Sequence, residues 1–167
     1  MGVKNYLIEG VSCAGKTTVC DELLRRGYHA VHGDRELAYA GNPDTGEPAT
    51  PETPGEHIWD LDKVRAIVAD HSHQATFFCG GSRNAHRFLD LFDAVFVLEL
   101  DRPTLERRLA ERPDCEWGGP ADQGADFARL QHETGHGLPT NAISIDATAP
   151  LTNVVDTVLV LSASAAG

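Results

Sequence analysis

Residues 10–17 read G-V-S-C-A-G-K-T, and this stretch decides the fold. It fills every fixed position of the phosphate-binding pattern G-x-x-x-x-G-K-[ST], whose parts have separate physical jobs. Gly10 and Gly15 let the backbone turn around an anion, so that the N–H groups of the loop, Ser12, Cys13 and Ala14 included, point inward. Lys16 brings a compact positive charge to the β and γ phosphates of a nucleotide, and the Thr17 hydroxyl is placed to hold Mg²⁺. The helix that follows, with Thr18 in its first turn, adds its positive N-terminal end to the same site.

The flanks separate this loop from a chance match. Before it, Tyr6, Leu7 and Ile8 form a short apolar run that suits a buried strand. After it, Val19, Cys20, Leu23 and Leu24 recur at helical spacing, with Arg25 and Arg26 at the end and Gly27 as the stop. Strand, glycine loop and helix stand in the order that phosphate binding requires.

Working outward, 167 residues suffice for one domain spanning the chain, with a real core. A charged fraction of 23% and a hydrophobic fraction of 41% are those of an ordinary soluble globular protein. No apolar run approaches the roughly 20 residues needed to cross a bilayer, so no membrane association is expected. The chain enters its first strand at once, leaving no room for a signal peptide, and a cytoplasmic location is expected.

Net charge is −11, which argues against a broad polyanion-binding surface and hence against nucleic acid as a partner. The only lysines are Lys4, Lys16 and Lys63, whereas the arginines include Arg83, Arg87, Arg102, Arg107, Arg108 and Arg112. A locally positive stretch in an acidic protein suits a small, multiply charged ligand. Cysteines 13, 20, 79 and 115 form no C-x-x-C pair, so they read as reduced packing thiols.

Further apolar segments fall at His29–His32, Ala75–Cys79, Ala94–Leu100 and Ala142–Ile145. Helical patterns lie between them, at about 56–71 (Ile58, Leu61, Val64, Ile67 and Val68 on one face), 83–92, 103–112 and 150–162. Strand alternating with helix predicts a five-stranded parallel sheet covered on both faces, a three-layer α/β/α sandwich. Ligands in such sheets bind beyond the C-terminal strand ends. Residues 41–55 and 113–126 are rich in Pro and Gly and resist regular structure.

With the loop, the strand order and these two inserts in place, the chain resembles the nucleoside-monophosphate-kinase-like branch of P-loop kinases, which includes adenylate, shikimate and gluconate kinases. The resemblance implies a mobile substrate-binding segment at about 34–72 and a short lid at about 113–128. Asp34, in H-G-D-R with Arg35, resembles the acid that shikimate-type kinases direct at the acceptor hydroxyl or Mg²⁺. Gly80, Gly81 and Arg83 resemble the turn that receives the acceptor. In L-E-R-R-L-A-E-R, Arg108 and Arg112 share a helical face at the lid entrance, one implied against adenine and the other across the transferred phosphate. Ile145-Asp146-Ala147-Thr148 resembles the loop that lines adenine. Adenylate-type kinases carry an Asp at the end of the third strand, where this chain has Cys79 and Gly80; Asp34 is the substitute, and the reading moves away from adenylate kinase itself.

Other residues have competing readings. Asp34 also suits a plain turn carboxylate capping the next helix, although its place at a strand's C-terminal end favours function. Trp59 with His57 suits either stacking on the acceptor or anchoring a mobile helix. His132 to His136 matches the zinc pattern H-E-x-x-H, but Gly135, Gly137 and Pro139 break the helix that it needs. Arg107 points about 100° away from Arg108 and is expected in solvent.

The expected activity is ATP- and Mg²⁺-dependent transfer of a phosphoryl group to a hydroxyl of a nucleoside or metabolite, in a monomer or homodimer. Lys16, Asp34 and Arg112 are the expected catalytic residues. A nucleoside monophosphate kinase is the alternative within this class. A nucleotide-binding regulatory or adaptor protein with little chemistry is the alternative from another class.

Overall fold

The structure is a computed structural model that describes residues 3–10, 14–111, 139 and 141–165. Five parallel strands make the central sheet: β1 (Lys4–Gly10), β2 (His29–His32), β5 (Ala75–Cys79), β6 (Ala94–Glu99) and β7 (Ile143–Asp146). Their spatial order is β2-β5-β1-β6-β7, so the phosphate-loop strand lies in the middle. Both faces of β1 are buried, which is why its side chains form a continuous apolar run rather than an alternating one.

Tyr6, Ile8, Phe77, Phe96 and Leu98 meet the buried faces of α1 (Lys16–Arg25) and α5 (Leu151–Ala165), with Leu105 of α4 (Arg102–Glu111). Leu7, Val31, Phe78 and Val95 meet Val64 of α3 (Leu61–Ala69) and the Phe88 ring on the opposite side. The sheet is thus sandwiched between helical layers, as expected. The α1 helix stops where Gly27 takes φ 89°, a left-handed turn that costs glycine little. There Tyr28 N–H donates to Leu23 O and Gly27 N–H to Leu24 O, each at 3.0 Å, closing the helix C-terminus.

Two helical expectations are corrected. The pattern at 56–71 divides into a strand, β4 (Glu56–Trp59), and the shorter α3. β4 pairs antiparallel with β3 (Ala38–Gly41) in a separate two-stranded sheet, placing Ile58 opposite Tyr39. Asp60 ends that strand and caps the helix, its carboxylate accepting from Asp62 N–H at 3.0 Å and Lys63 N–H at 3.2 Å. The pattern at 83–92 becomes two single 3₁₀ turns, Ala85–Arg87 and Leu89–Leu91. A one-turn helix, α2 (Gly33–Glu36), joins β2 to β3.

Residues 41–55 lie in the β3–β4 connection, with turns around Asn42–Gly46 and no helix, as their composition implies. The expected lid, Arg112 and the H-E-x-x-H stretch lie outside the described residues. Among the described residues no helix is long and apolar enough to cross a membrane.

Candidate active site

The parallel sheet sends its C-terminal strand ends to one edge, and the phosphate loop leaves β1 there. Gly15 takes φ 98° at the N-terminus of α1, a backbone that a Cβ would strain. Gly10 is constrained by space instead: a Cβ there would stand 2.7 Å from Leu98 O. Lys16 Nζ donates to Gly10 O at 2.5 Å, so the lysine arches over its own loop. Burial lowers the Lys16 pKa, while the charges of Asp34 and Glu9 oppose that shift. Thr17 is exposed on the first turn of α1, with Thr18 half-buried beside it. Ser12 and Cys13 lie outside the described residues.

Arg108 reaches from α4 to the same loop. Its guanidinium donates to Ala14 O at 3.3 Å and to Ala147 O at 3.1 Å. It therefore ties the phosphate loop to the segment after β7, the stretch that the family resemblance assigns to adenine. Arg107 is exposed on the adjoining face, as its helical position predicts.

Asp34 stands on α2, just beyond β2. Its Oδ1 meets His57 Nε2 at 2.9 Å and accepts from Trp59 Nε1–H at 3.4 Å. Burial would raise its pKa, but the His57 hydrogen bond and the Lys16 charge outweigh that effect and hold the carboxyl below its ordinary range. Asp34 is thus an anion held by two side chains of β4 and electrostatically coupled to the phosphate-loop lysine. A cavity of about 550 Å³ opens beside it, lined by Asp34, Tyr39, Glu56, His57 and Arg83 among others. Arg35 is exposed on α2 and does not line that cavity.

Trp59 corrects an expectation. Its ring is 0% exposed and stacks on Phe88, with centroids 5.6 Å apart and planes 3° from parallel, so it has no face to offer an acceptor. Its work is to support Asp34. A Cβ on Gly33 would fall inside the Trp59 ring, and one on Gly80 would stand 2.8 Å from Asp34 Oδ1. These glycines let β2, β4 and the end of β5 converge. The turn after β5 is tied to β4 through Asn84, whose amide accepts from Trp59 N–H at 3.0 Å and donates to Trp59 O at 2.9 Å. Arg83 N–H also donates to His57 O at 3.0 Å, which brings Arg83 to the cavity wall.

Two residues escaped the sequence reading. The sequence suggests stacking or helix anchoring for His57, whereas its pairing with Asp34 spans 23 positions with no local signal. Glu9 did carry a signal, an acid inside an apolar run directly before the glycine loop. It is only 6% exposed, and burial raises its pKa to about 7, with Lys16 opposing the shift and Asp34 adding to it.

The donor chemistry also suits Mg²⁺. Among the described residues no three His, Cys, Asp or Glu side chains converge on a metal cage. Mg²⁺ does not need one, since it is usually held by one or two protein oxygens, water and nucleotide phosphates. The Thr17 hydroxyl and the anionic Asp34 are oxygen ligands of that kind.

A family model described as an AAA domain matches residues 7–122, which is most of the chain. The chain belongs to that family. Its fold is that of P-loop small-molecule kinases, as three solved structures illustrate. A sugar kinase from Janibacter sp. HTCC2649 is 17% identical, with a TM-score of 0.57 over 95% of this chain and 93% of that one. A gluconokinase from Sinorhizobium meliloti 1021 is 17% identical, with a TM-score of 0.53 over 96% and 92%. The YorR protein of Bacillus subtilis, solved with phosphorylated GDP, is 17% identical, with a TM-score of 0.58 over 95% of both chains. No curated protein matches the chain.

Proposed function

We propose that the protein is an ATP- and Mg²⁺-dependent phosphotransferase whose acceptor is a hydroxyl-bearing small molecule, a nucleoside or another polar metabolite. The observation that carries this reading is the position of Asp34. One carboxylate lines the acceptor-sized cavity and also lies within the field of Lys16.

In this reading the acceptor occupies the cavity with a hydroxyl at Asp34. The acceptor oxygen forms a bond to the γ-phosphorus, the bond from that phosphorus to the bridging β–γ oxygen breaks, and ADP leaves. The hydroxyl proton passes to Asp34, which His57 and Trp59 hold in place. Lys16 and the loop N–H groups neutralise the phosphates, and Arg108 fixes the loop against the segment after β7. Bound Mg²⁺ supplies charge neutralisation at the β and γ phosphates, with Thr17 and Asp34 as its protein-side oxygens. The cavity wall carries Glu56, Arg83 and Tyr39 as well as Asp34, so the acceptor is polar at several positions.

A panel of nucleosides, sugar acids and aminocyclitols, screened for acceptor-stimulated ADP release, tests the reading. Stimulation by at least one hydroxyl-bearing compound, with phosphate recovered on that compound, is expected. Tight nucleotide binding with no stimulation across the panel would favour a nucleotide-binding regulatory protein.

A further inference from the structure

The sheet edge holds one charged group that the reaction above does not use. Glu9 is the penultimate residue of β1, immediately before Gly10 of the phosphate loop. It is 6% exposed, and among the described residues its Oε2 has no hydrogen-bond partner. Leaving a buried carboxylate oxygen unpaired costs several kcal/mol in general, so the fold tolerates it only where something compensates.

The surroundings indicate what compensates. The Glu9 carboxylate lies against Gly81, its Oε1 3.4 Å from where a Cβ on that residue would stand, an ordinary van der Waals distance. Ile8 pairs with Cys79 across β1 and β5, which sets Glu9 level with the start of the Gly80-Gly81 turn. That turn brings no acid of its own. The Cys79 thiol is buried against Cys20 and its pKa is pushed far up, so it stays neutral. The charges that reach Glu9 are those of Lys16, in the phosphate loop, and of Asp34, at the acceptor cavity. A carboxylate here faces a lysine that must serve the nucleotide and a second carboxylate that repels it. A hydrated dication satisfies both carboxylates at once.

We propose that Glu9 is a positioning residue for the nucleotide's magnesium ion, its free Oε2 accepting a hydrogen bond from the ion's hydration shell. The inference rests on the phosphotransferase reading, because it presumes a nucleotide in the loop. Glu9 would act through water rather than as a direct ligand.

Calorimetric titration of ATP, with Mg²⁺ and with EDTA, tests the proposal through binding alone. In the wild type Mg²⁺ tightens ATP binding. Glu9→Gln should lose about tenfold of that tightening, read as the ratio of its own affinities with and without Mg²⁺, in line with the effect of outer-shell partners. With Mn²⁺ replacing Mg²⁺, the water-proton relaxation of the ATP complex should also change in Glu9→Gln. Glu9→Asp keeps the charge and shortens the reach; if Glu9→Gln does not fold, loss of the Mg²⁺ gain in Glu9→Asp supports the proposal and full retention overturns it. An unaltered Mg²⁺ gain in a folded Glu9→Gln overturns it too. A wild type that binds ATP equally with and without Mg²⁺ overturns the Glu9 assignment alone, whereas one that binds no ATP overturns the phosphotransferase reading with it.

Discussion

At the scale of single residues, the account turns on three charges at one sheet edge. Lys16→Ala should leave the fold intact, because among the described residues its ammonium hydrogen-bonds only the loop carbonyl of Gly10. A charge-assisted phosphate contact is worth about 2–3 kcal/mol, so ATP affinity should fall roughly 30- to 150-fold and turnover should vanish, as calorimetry and an ADP-release assay can show. Asp34→Asn should behave differently, lowering kcat by about 10²–10⁴ and ATP affinity far less, because an amide cannot take the acceptor proton and coordinates Mg²⁺ poorly, whereas the phosphates are held by the loop. Near-normal steady-state turnover would reduce Asp34 to a structural anchor for His57 and Trp59 of β4. Glu9 makes the pH prediction. Its carboxyl rises from 4.5 to about 7 on folding. Below pH 4.5 the group is protonated in both states and has no effect. Between 4.5 and 7 the unfolded chain ionises while the folded one holds its proton, so stability falls with rising pH. Each pH unit in that window is worth about 1.4 kcal/mol. Metal-free Glu9→Gln should therefore gain on the wild type by about 2–3 kcal/mol between pH 5 and pH 8 in urea unfolding, and a constant gap would contradict the burial argument.

At the scale of elements, the junction of β4 with the turn after β5 shapes the cavity that the proposed acceptor would occupy. Asn84→Ala removes both amide bonds to the Trp59 backbone and leaves its carbonyl buried without a partner. A cost of about 1–3 kcal/mol in thermal or urea unfolding is expected. The KM for the acceptor should rise more than kcat falls, since the Glu56 and His57 wall of the cavity moves with β4. This junction is also where sequence reasoning stopped. The buried strands His29–His32 and Ala75–Cys79 were legible to the residue, because apolar runs bounded by Gly or a polar turn admit little else. Ile58 was drawn into a helix because it stands three positions before Leu61 in a helical series. Its actual partner is Tyr39, 19 positions upstream, and pairing of that range leaves no periodic trace. The aromatic and β-branched character of His57, Ile58 and Trp59 was the available hint of a strand. Asn84 likewise spends its amide on Trp59 instead of capping a helix, and Phe88 turns into the core, so 83–92 makes only single turns. Of the site, the loop and Asp34 were legible from motif and strand end, whereas the His57 contact and the burial of Glu9 arise only in three dimensions.

At the scale of the whole molecule, the nucleotide half and the acceptor half of the site are built from different layers that meet at the end of β1. Arg108 is the link on the nucleotide side, joining the loop between β1 and α1 to the segment after β7. Arg108→Ala should weaken ATP binding on the order of tenfold by calorimetry, as expected for losing hydrogen bonds to a charged donor. The acceptor side answers to Asp34 and the β3–β4 sheet, so the two halves should be separable by mutation. The central claim is that this edge couples a bound nucleotide to a hydroxyl in the Asp34 cavity. The most direct measurement is ADP release from saturating Mg²⁺–ATP, with and without acceptor, in wild type and Asp34→Asn. The account predicts acceptor-stimulated release in the wild type, none in Asp34→Asn, and a loss of ATP affinity in that variant far smaller than its loss of turnover. Stimulation that survives in Asp34→Asn, or nucleotide binding that no acceptor converts into turnover, would contradict it.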